Sequence, residues 1–207
     1  MAGGLGALVR AVEGAEDRTE EGERAIEELG VGPADTVIGI AASRRTPFVV
    51  AALARARARG AKTAYVTCTP REEFTLDVDV AICPVVGPEA LMGSTRMKSG
   101  TAQKLVLNMI TTAAFIRTGK VYENMMVDLM ATSEKLVERS RRTVMTVTGV
   151  DYDTAARAIG DAGKSVKIAI VMLKLGCSRD EAENRLARAE GFVRAALEGV
   201  PASGRRP

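Results

Sequence analysis

The sequence predicts an α/β protein: a parallel sheet in its first half, long helices after it, and a small three-helix module at the C-terminal end. Three observations carry this. Short apolar runs at 35–43, 62–68 and 78–87 alternate with a helical pattern at 47–60, and strand–helix–strand order implies parallel pairing through crossovers. After residue 94 the apolar spacing changes from strand-like runs to a period near 3.6. From Gly149 onward, glycines divide the remainder into short helical pieces.

Residues 1–12 are expected to be helical, although Gly3, Gly4 and Gly6 weaken the start. The acidic stretch EGAEDRTEEGERAIEELG is a helix that stops at Gly30, with Gly32-Pro33 just beyond. DTVIGIAAS (35–43) is β-branched and almost continuously apolar, as in a strand buried on both faces. Pro47 suits the first turn of the next helix, PFVVAALARARARG, which closes at Gly60. KTAYVTC and VDVAICPVVG supply the second and third strands.

Leu105, Met109, Thr112 and Ile116 then share one helical face, and Val127, Met130, Leu136, Val137 and Val144 another, with RTGKVYEN as the turn between. Three helices follow: one starting at Asp151, one ending at Gly176, and one opened by the capping box Ser178-Arg179-Asp180-Glu181. The last carries Ala182, Leu186, Ala189, Val193 and Leu197 on one face. The expected organisation is residues 1–118 as the α/β domain, 119–148 as a long connecting helix, 149–199 as the three-helix module, and 200–207 as a disordered tail.

Composition narrows the function. An apolar fraction of 46% in 207 residues supports a real core. There is no His, so acid–base work falls to carboxylates, Lys, Tyr or Cys, and the commonest metal ligand is missing. A net charge of +3 with no aromatics among the basic clusters gives no case for a nucleic-acid partner. Cys68, Cys83 and Cys177 form no CxxC pair and fit a reducing cytoplasm. No signal peptide or membrane-length apolar run is seen, so no membrane association is expected.

Ligands of open parallel sheets bind beyond the carboxyl ends of the strands. After the first strand, AASRRTP offers the hydroxyls of Ser43 and Thr46 at a helix start, which suits an anion and equally suits simple capping. After the third strand, GPEALMGSTRMKSGTAQK places Glu89 beside Ser94, Thr95, Arg96 and Lys98. A carboxylate among such donors suits proton transfer on an anionic, hydroxylated substrate. A helix-start carboxylate with an exposed basic pair is the plainer alternative.

VEGAED (12–17), AASRRTPFV (41–49), VVGPEALMGSTRMKSGTAQKLVLNM (85–109) and GKVYENMMVDLMAT (119–132) closely resemble the N-acetylmuramic acid 6-phosphate etherases. These belong to the sugar isomerase (SIS) fold group. The resemblance runs from about residue 5 to residue 198 and implies an SIS-type parallel-sheet sandwich, with the C-terminal helices similar to a ubiquitin-associated-type bundle. It implies a homodimeric bacterial enzyme of amino-sugar catabolism and peptidoglycan recycling, a carbon–oxygen lyase without metal or organic cofactor. That activity releases D-lactate from N-acetylmuramic acid 6-phosphate by elimination and then adds water.

By the same resemblance Glu16 matches an active-site glutamate, and Ser43 and Thr46 match the phosphate-loop hydroxyls. Glu89 lies where related isomerases place a proton-shuttling glutamate. Ser94, Thr95, Arg96 and Lys98 match the signature that lines the pocket or an adjoining subunit interface. Two departures are seen. Family members carry a further N-terminal segment with a second phosphate loop and the proton-donating glutamate, ahead of the position matching Met1. Arg44 replaces the family's loop glycine, so impaired phosphate binding is expected. This chain by itself is accordingly expected to turn over weakly or not at all. The alternative is a non-catalytic sugar-phosphate-binding regulator, similar to the glucokinase regulatory proteins.

Overall fold

The computed structural model describes residues 1–43, 45–129 and 131–201. Its contacts divide the chain into two compact units, Met1–Met109 and Ile110–Pro207.

The first unit holds a parallel three-stranded sheet, β1 (Thr36–Ile40), β2 (Lys62–Val66) and β3 (Val80–Ile82), in the order β1-β2-β3. The register aligns Thr36 with Lys62 and Ala64 with Val80. Helix α1 (Thr19–Glu28) packs on α2 (Pro47–Ala58), and α2 packs on β1 and β2. Pro47 does open α2, where its missing N–H is no loss and its fixed φ is already helical. The α1–α2 contact is close because Gly22 has no side chain: a Cβ there would lie 2.2 Å from the Phe48 carbonyl oxygen.

Two apolar clusters hold the unit. Ile26, Val31, Ala56 and Ala61 pack beneath the helices, and Ala41, Leu53 and Tyr65 pack at the upper end of the sheet, with Phe74 and Leu76 against them. At the opposite, amino edge of the sheet, Asp79 accepts the Thr63 N–H at 2.8 Å and the Thr63 hydroxyl at 2.9 Å. Its carboxyl is held down to about 2, mainly by the Thr63 backbone and hydroxyl, with Lys62 helping.

Residues 1–12 correct the helical expectation. Only Leu5–Leu8 coil, as a single 3₁₀ turn, consistent with the glycines' preference for left-handed φ at Gly3 and Gly4. The strands are shorter than their apolar runs, because residues beyond Ile40, Val66 and Ile82 turn into edge loops. Between β2 and β3 the chain forms a 3₁₀ turn at Arg71–Glu73 and then runs to β3 without a helix.

Helix α3 (Lys98–Arg117) spans the boundary between the units. The stretch 119–148 is not one connecting helix. It opens with a hairpin, β4 (Val121–Tyr122) and β5 (Met125–Met126), and only Glu134–Thr148 is helical (α4). The turn residue Glu123 has φ 52, a left-handed value incompatible with helix continuation. Ser133 caps α4 by accepting the Leu136 N–H.

The C-terminal module has four helices rather than three: α5 (Tyr152–Asp161), α6 (Val166–Leu175), α7 (Arg179–Arg188) and α8 (Val193–Glu198). The last expected helix breaks at Glu190 and Gly191, with φ 51 and φ 81. Its apolar stripe stays in one core nevertheless, since Leu186, Ala189 and Val193 are all buried there with Ile170. Val127 and Val144 belong to that core too, so the 119–148 stretch is part of the module and not a connector. Caps appear where the sequence places them: Asp151 accepts the Thr154 N–H at 2.8 Å and Ser178 accepts the Glu181 N–H at 3.3 Å. The Glu181 carboxylate meanwhile accepts from Arg185 at 2.7 Å.

Arg44 and the tail beyond Pro201 lie outside the described residues. Among those described, no helix is long and apolar enough to cross a membrane.

Candidate functional site

Three segments leave the carboxyl edge of the sheet, and hydrogen bonds tie them together. The Ala41 N–H donates to the Val66 carbonyl at 3.1 Å and the Cys68 N–H to the Ala42 carbonyl at 3.2 Å, so the loop after β1 continues to follow β2. The Thr67 N–H donates to the Ile82 carbonyl at 3.0 Å, which joins the end of β3. The Cys68 thiol lies 3.9 Å from the Ser99 carbonyl oxygen, placing the start of α3 against the end of β2.

On the β1 side, Ser43 is exposed and Thr46 half-buried. Thr46 stands at the N-cap of α2, yet its hydroxyl makes no capping bond. Its carbonyl accepts from Val49 and Val50 at 3.0 and 3.1 Å. Simple capping therefore does not account for the Thr46 hydroxyl. The loop is anchored from below. The Tyr65 hydroxyl donates to the Ser43 carbonyl at 2.9 Å and the Thr67 hydroxyl to the Ala42 carbonyl at 3.4 Å. Tyr65 is 1% exposed, and burial pushes its phenol pKa up, so it remains a protonated donor at neutral pH.

On the β3 side the geometry is different. The first backbone donors of α3 all have partners. Lys98 and Ser99 donate their N–H groups to the two oxygens of Glu89, each at 3.0 Å. Gly100 donates to the Thr95 carbonyl at 2.9 Å and Thr101 to the Met97 carbonyl at 3.1 Å. Those two N–H bonds, Ser99's foremost, hold the Glu89 carboxyl below its ordinary range. The Lys98 ammonium turns back to the Pro88 carbonyl at 2.7 Å, and the Ser94 hydroxyl accepts the Arg96 N–H at 3.4 Å. Ser94 is half-buried and Thr95, Arg96 and Lys98 are exposed. Glu89 here stands at the helix start with both carboxylate oxygens accepting backbone N–H groups.

Glu16 approaches from a separate direction. It lies exposed on a 3₁₀ turn, Ala15–Asp17, that follows left-handed Gly14 and anchors itself through buried Ala15. That turn packs against α2, the helix that Thr46 begins. The structure thus links the Ser43–Thr46 loop to the α3 start through Cys68, and links Glu16 to the loop's helix through α2. Tyr65 and Thr67 are the residues that the sequence reading passed over. A lone Tyr in a strand of small and β-branched residues was the available signal.

Comparison with known proteins adds the following. A domain family described as the glucokinase regulatory protein N-terminal SIS domain matches residues 1–57. The chain is 62% identical over 200 residues to an N-acetylmuramic acid 6-phosphate etherase of Salinibacter ruber, covering 96% of this chain and 64% of that protein. It is 52% identical to the etherase of Serratia proteamaculans, covering 95% and 66%, and 50% identical to that of Cronobacter sakazakii, covering 96% and 67%. The chain thus spans roughly two thirds of the length of these relatives.

Proposed function

Because this chain belongs to the N-acetylmuramic acid 6-phosphate etherase family, we propose that it serves cleavage of that sugar's lactyl ether. D-lactate and N-acetylglucosamine 6-phosphate are the products. The observation that carries the reading is the anchored loop after β1. A hydroxyl at a helix N-terminus that makes no cap bond, on backbone pinned from the sheet, suits a phosphate oxyanion.

The chemistry follows from the substrate. In the open-chain sugar the C2 proton is α to the aldehyde, so a carboxylate base can remove it. The C3–O bond then breaks, and lactate leaves with its ether oxygen as the hydroxyl. Water next adds at C3 while a proton returns to C2, and the steps are redox-neutral overall. Glu16, exposed beside α2, takes the proton-transfer role at C2. The leaving oxygen needs a second acid, the role that the family resemblance gives to a glutamate of the N-terminal segment. Ser43 and Thr46 hold the 6-phosphate. Glu89 organises the α3 start instead of shuttling protons, and Ser94, Thr95, Arg96 and Lys98 line the sugar pocket or a homodimer interface. The enzyme acts in the cytoplasm as a lyase.

The test is incubation with N-acetylmuramic acid 6-phosphate in ¹⁸O-labelled water. D-lactate without label and N-acetylglucosamine 6-phosphate labelled at C3, in equal amounts, support elimination and hydration. Glu16→Gln should lower the rate by about 10²–10⁴-fold, the usual range for removing one acid–base group. Label in the lactate instead contradicts the mechanism. A second reading, a sugar-phosphate sensor, is favoured by the match of residues 1–57 to a regulatory-protein domain. Its signature is sugar-phosphate binding with neither lactate release nor Glu16-dependent exchange of the C2 proton with solvent.

A further inference from the structure

We infer that Tyr65 is a positioning residue for the phosphate loop, acting through its hydrogen bond to the Ser43 carbonyl; this rests on the sugar-phosphate reading of that loop. Tyr65 sits in the middle strand, in register with Gly39 of β1 and Ala81 of β3. Those neighbours are the smallest available, which leaves room on the sheet face for a large ring. Phe74 meets that ring edge-on, at 5.5 Å between centroids and 88° between planes. Leu53 of α2 and Ala41 complete its cluster. Two long side chains and the sheet thus restrict the ring, and the phenol oxygen arrives 2.9 Å from a carbonyl well beyond its own register partner.

The direction of the bond is unambiguous. A carbonyl only accepts, so Tyr65 donates, and the Ser43 peptide is fixed with its carbonyl facing the protein. Thr67, fully buried, repeats the device one residue earlier by donating to Ala42 at 3.4 Å. A buried hydroxyl satisfied by a passing carbonyl would be ordinary core chemistry. Two successive carbonyls of one ligand loop, held by Tyr65 of β2 and by Thr67 just past its end, make a frame for that loop.

The experiment compares the wild-type chain with Tyr65→Phe and with Ile26→Val, a core change in the separate cluster of Ile26, Val31, Ala56 and Ala61. Each protein is titrated with N-acetylmuramic acid 6-phosphate by calorimetry, unfolded in urea, and followed by amide hydrogen exchange over residues 41–46. Tyr65→Phe keeps the ring and removes only the donor. It is expected to weaken sugar-phosphate binding about 5–10-fold and to speed exchange in the loop. Ile26→Val should lower the urea midpoint by a comparable amount, as such a core truncation does, yet leave affinity within about twofold. The inference is overturned if Tyr65→Phe binds as wild type with an unchanged loop. It is equally overturned if affinity in both variants simply follows stability. If the wild-type chain binds no sugar phosphate, the sugar-phosphate reading fails, and exchange at 41–46 alone decides whether Tyr65 holds the loop.

Discussion

Glu89 and Ser99 are joined by a 3.0 Å bond from the Ser99 N–H to Oε1, while Oε2 takes the Lys98 N–H at the same distance. One carboxylate thereby closes two of the four open donors at the start of a 20-residue helix. It does so in charged form, so the interaction depends on pH. The Glu89 pKa is lowered on folding, which means that its contribution is complete above the unfolded value. It disappears as pH falls through the folded one. Urea unfolding of wild type and Glu89→Gln should therefore differ at pH 7 and converge toward pH 3. An equal gap at both pH values would remove the charged cap from the account.

Asp79 gives a second, better bounded pH dependence. Its carboxyl falls from an ordinary 3.8 to about 2 on folding, so its stabilisation is present above about pH 4 and is lost as pH drops toward 2. Asp79→Asn should be less stable than wild type at pH 6, with the difference shrinking across that window. Acid titration of the two proteins, followed by circular dichroism, checks this. A gap that grows on acidification would contradict the assignment.

Gly22 faces the Phe48 carbonyl with no space for a methyl group. Gly22→Ala improves helix propensity but forces α1 away from α2. The overpacking is expected to dominate, at about 1–3 kcal/mol of lost stability. Thermal unfolding measures it, and a variant as stable as wild type would show that the two helices are not held at this distance.

How far these features were legible in the sequence follows from their range. Local signals were read well: Pro47 opening α2, Asp151 and Ser178 as caps, and the apolar runs of the three strands each depend on a few adjacent residues. The hairpin at 121–126 was hidden because its strands, Val121–Tyr122 and Met125–Met126, are two residues each, too short for an alternating pattern to show. The break at Glu190 and Gly191 was hidden for a similar reason, since α7 and α8 feed the same core and keep one periodic stripe. Glu89 was seen as a site carboxylate. Its backbone bonds span nine and ten residues of loop, which no spacing rule encodes. The bond from Tyr65 to Ser43 joins two different strands' ends and needed the sheet register to become visible.

The β1–α2 loop as the 6-phosphate site is the claim on which the rest depends, and Thr46 tests it most directly. Replacing an N-cap Thr by Ala usually costs about 0.5–2 kcal/mol of stability, but the Thr46 hydroxyl makes no cap bond, so Thr46→Ala should unfold nearly as wild type does. Calorimetric titration with N-acetylmuramic acid 6-phosphate should then show affinity at least about tenfold weaker than wild type, with the unphosphorylated sugar binding poorly to both. Equal affinity of Thr46→Ala and wild type for the phosphorylated sugar would contradict the assignment.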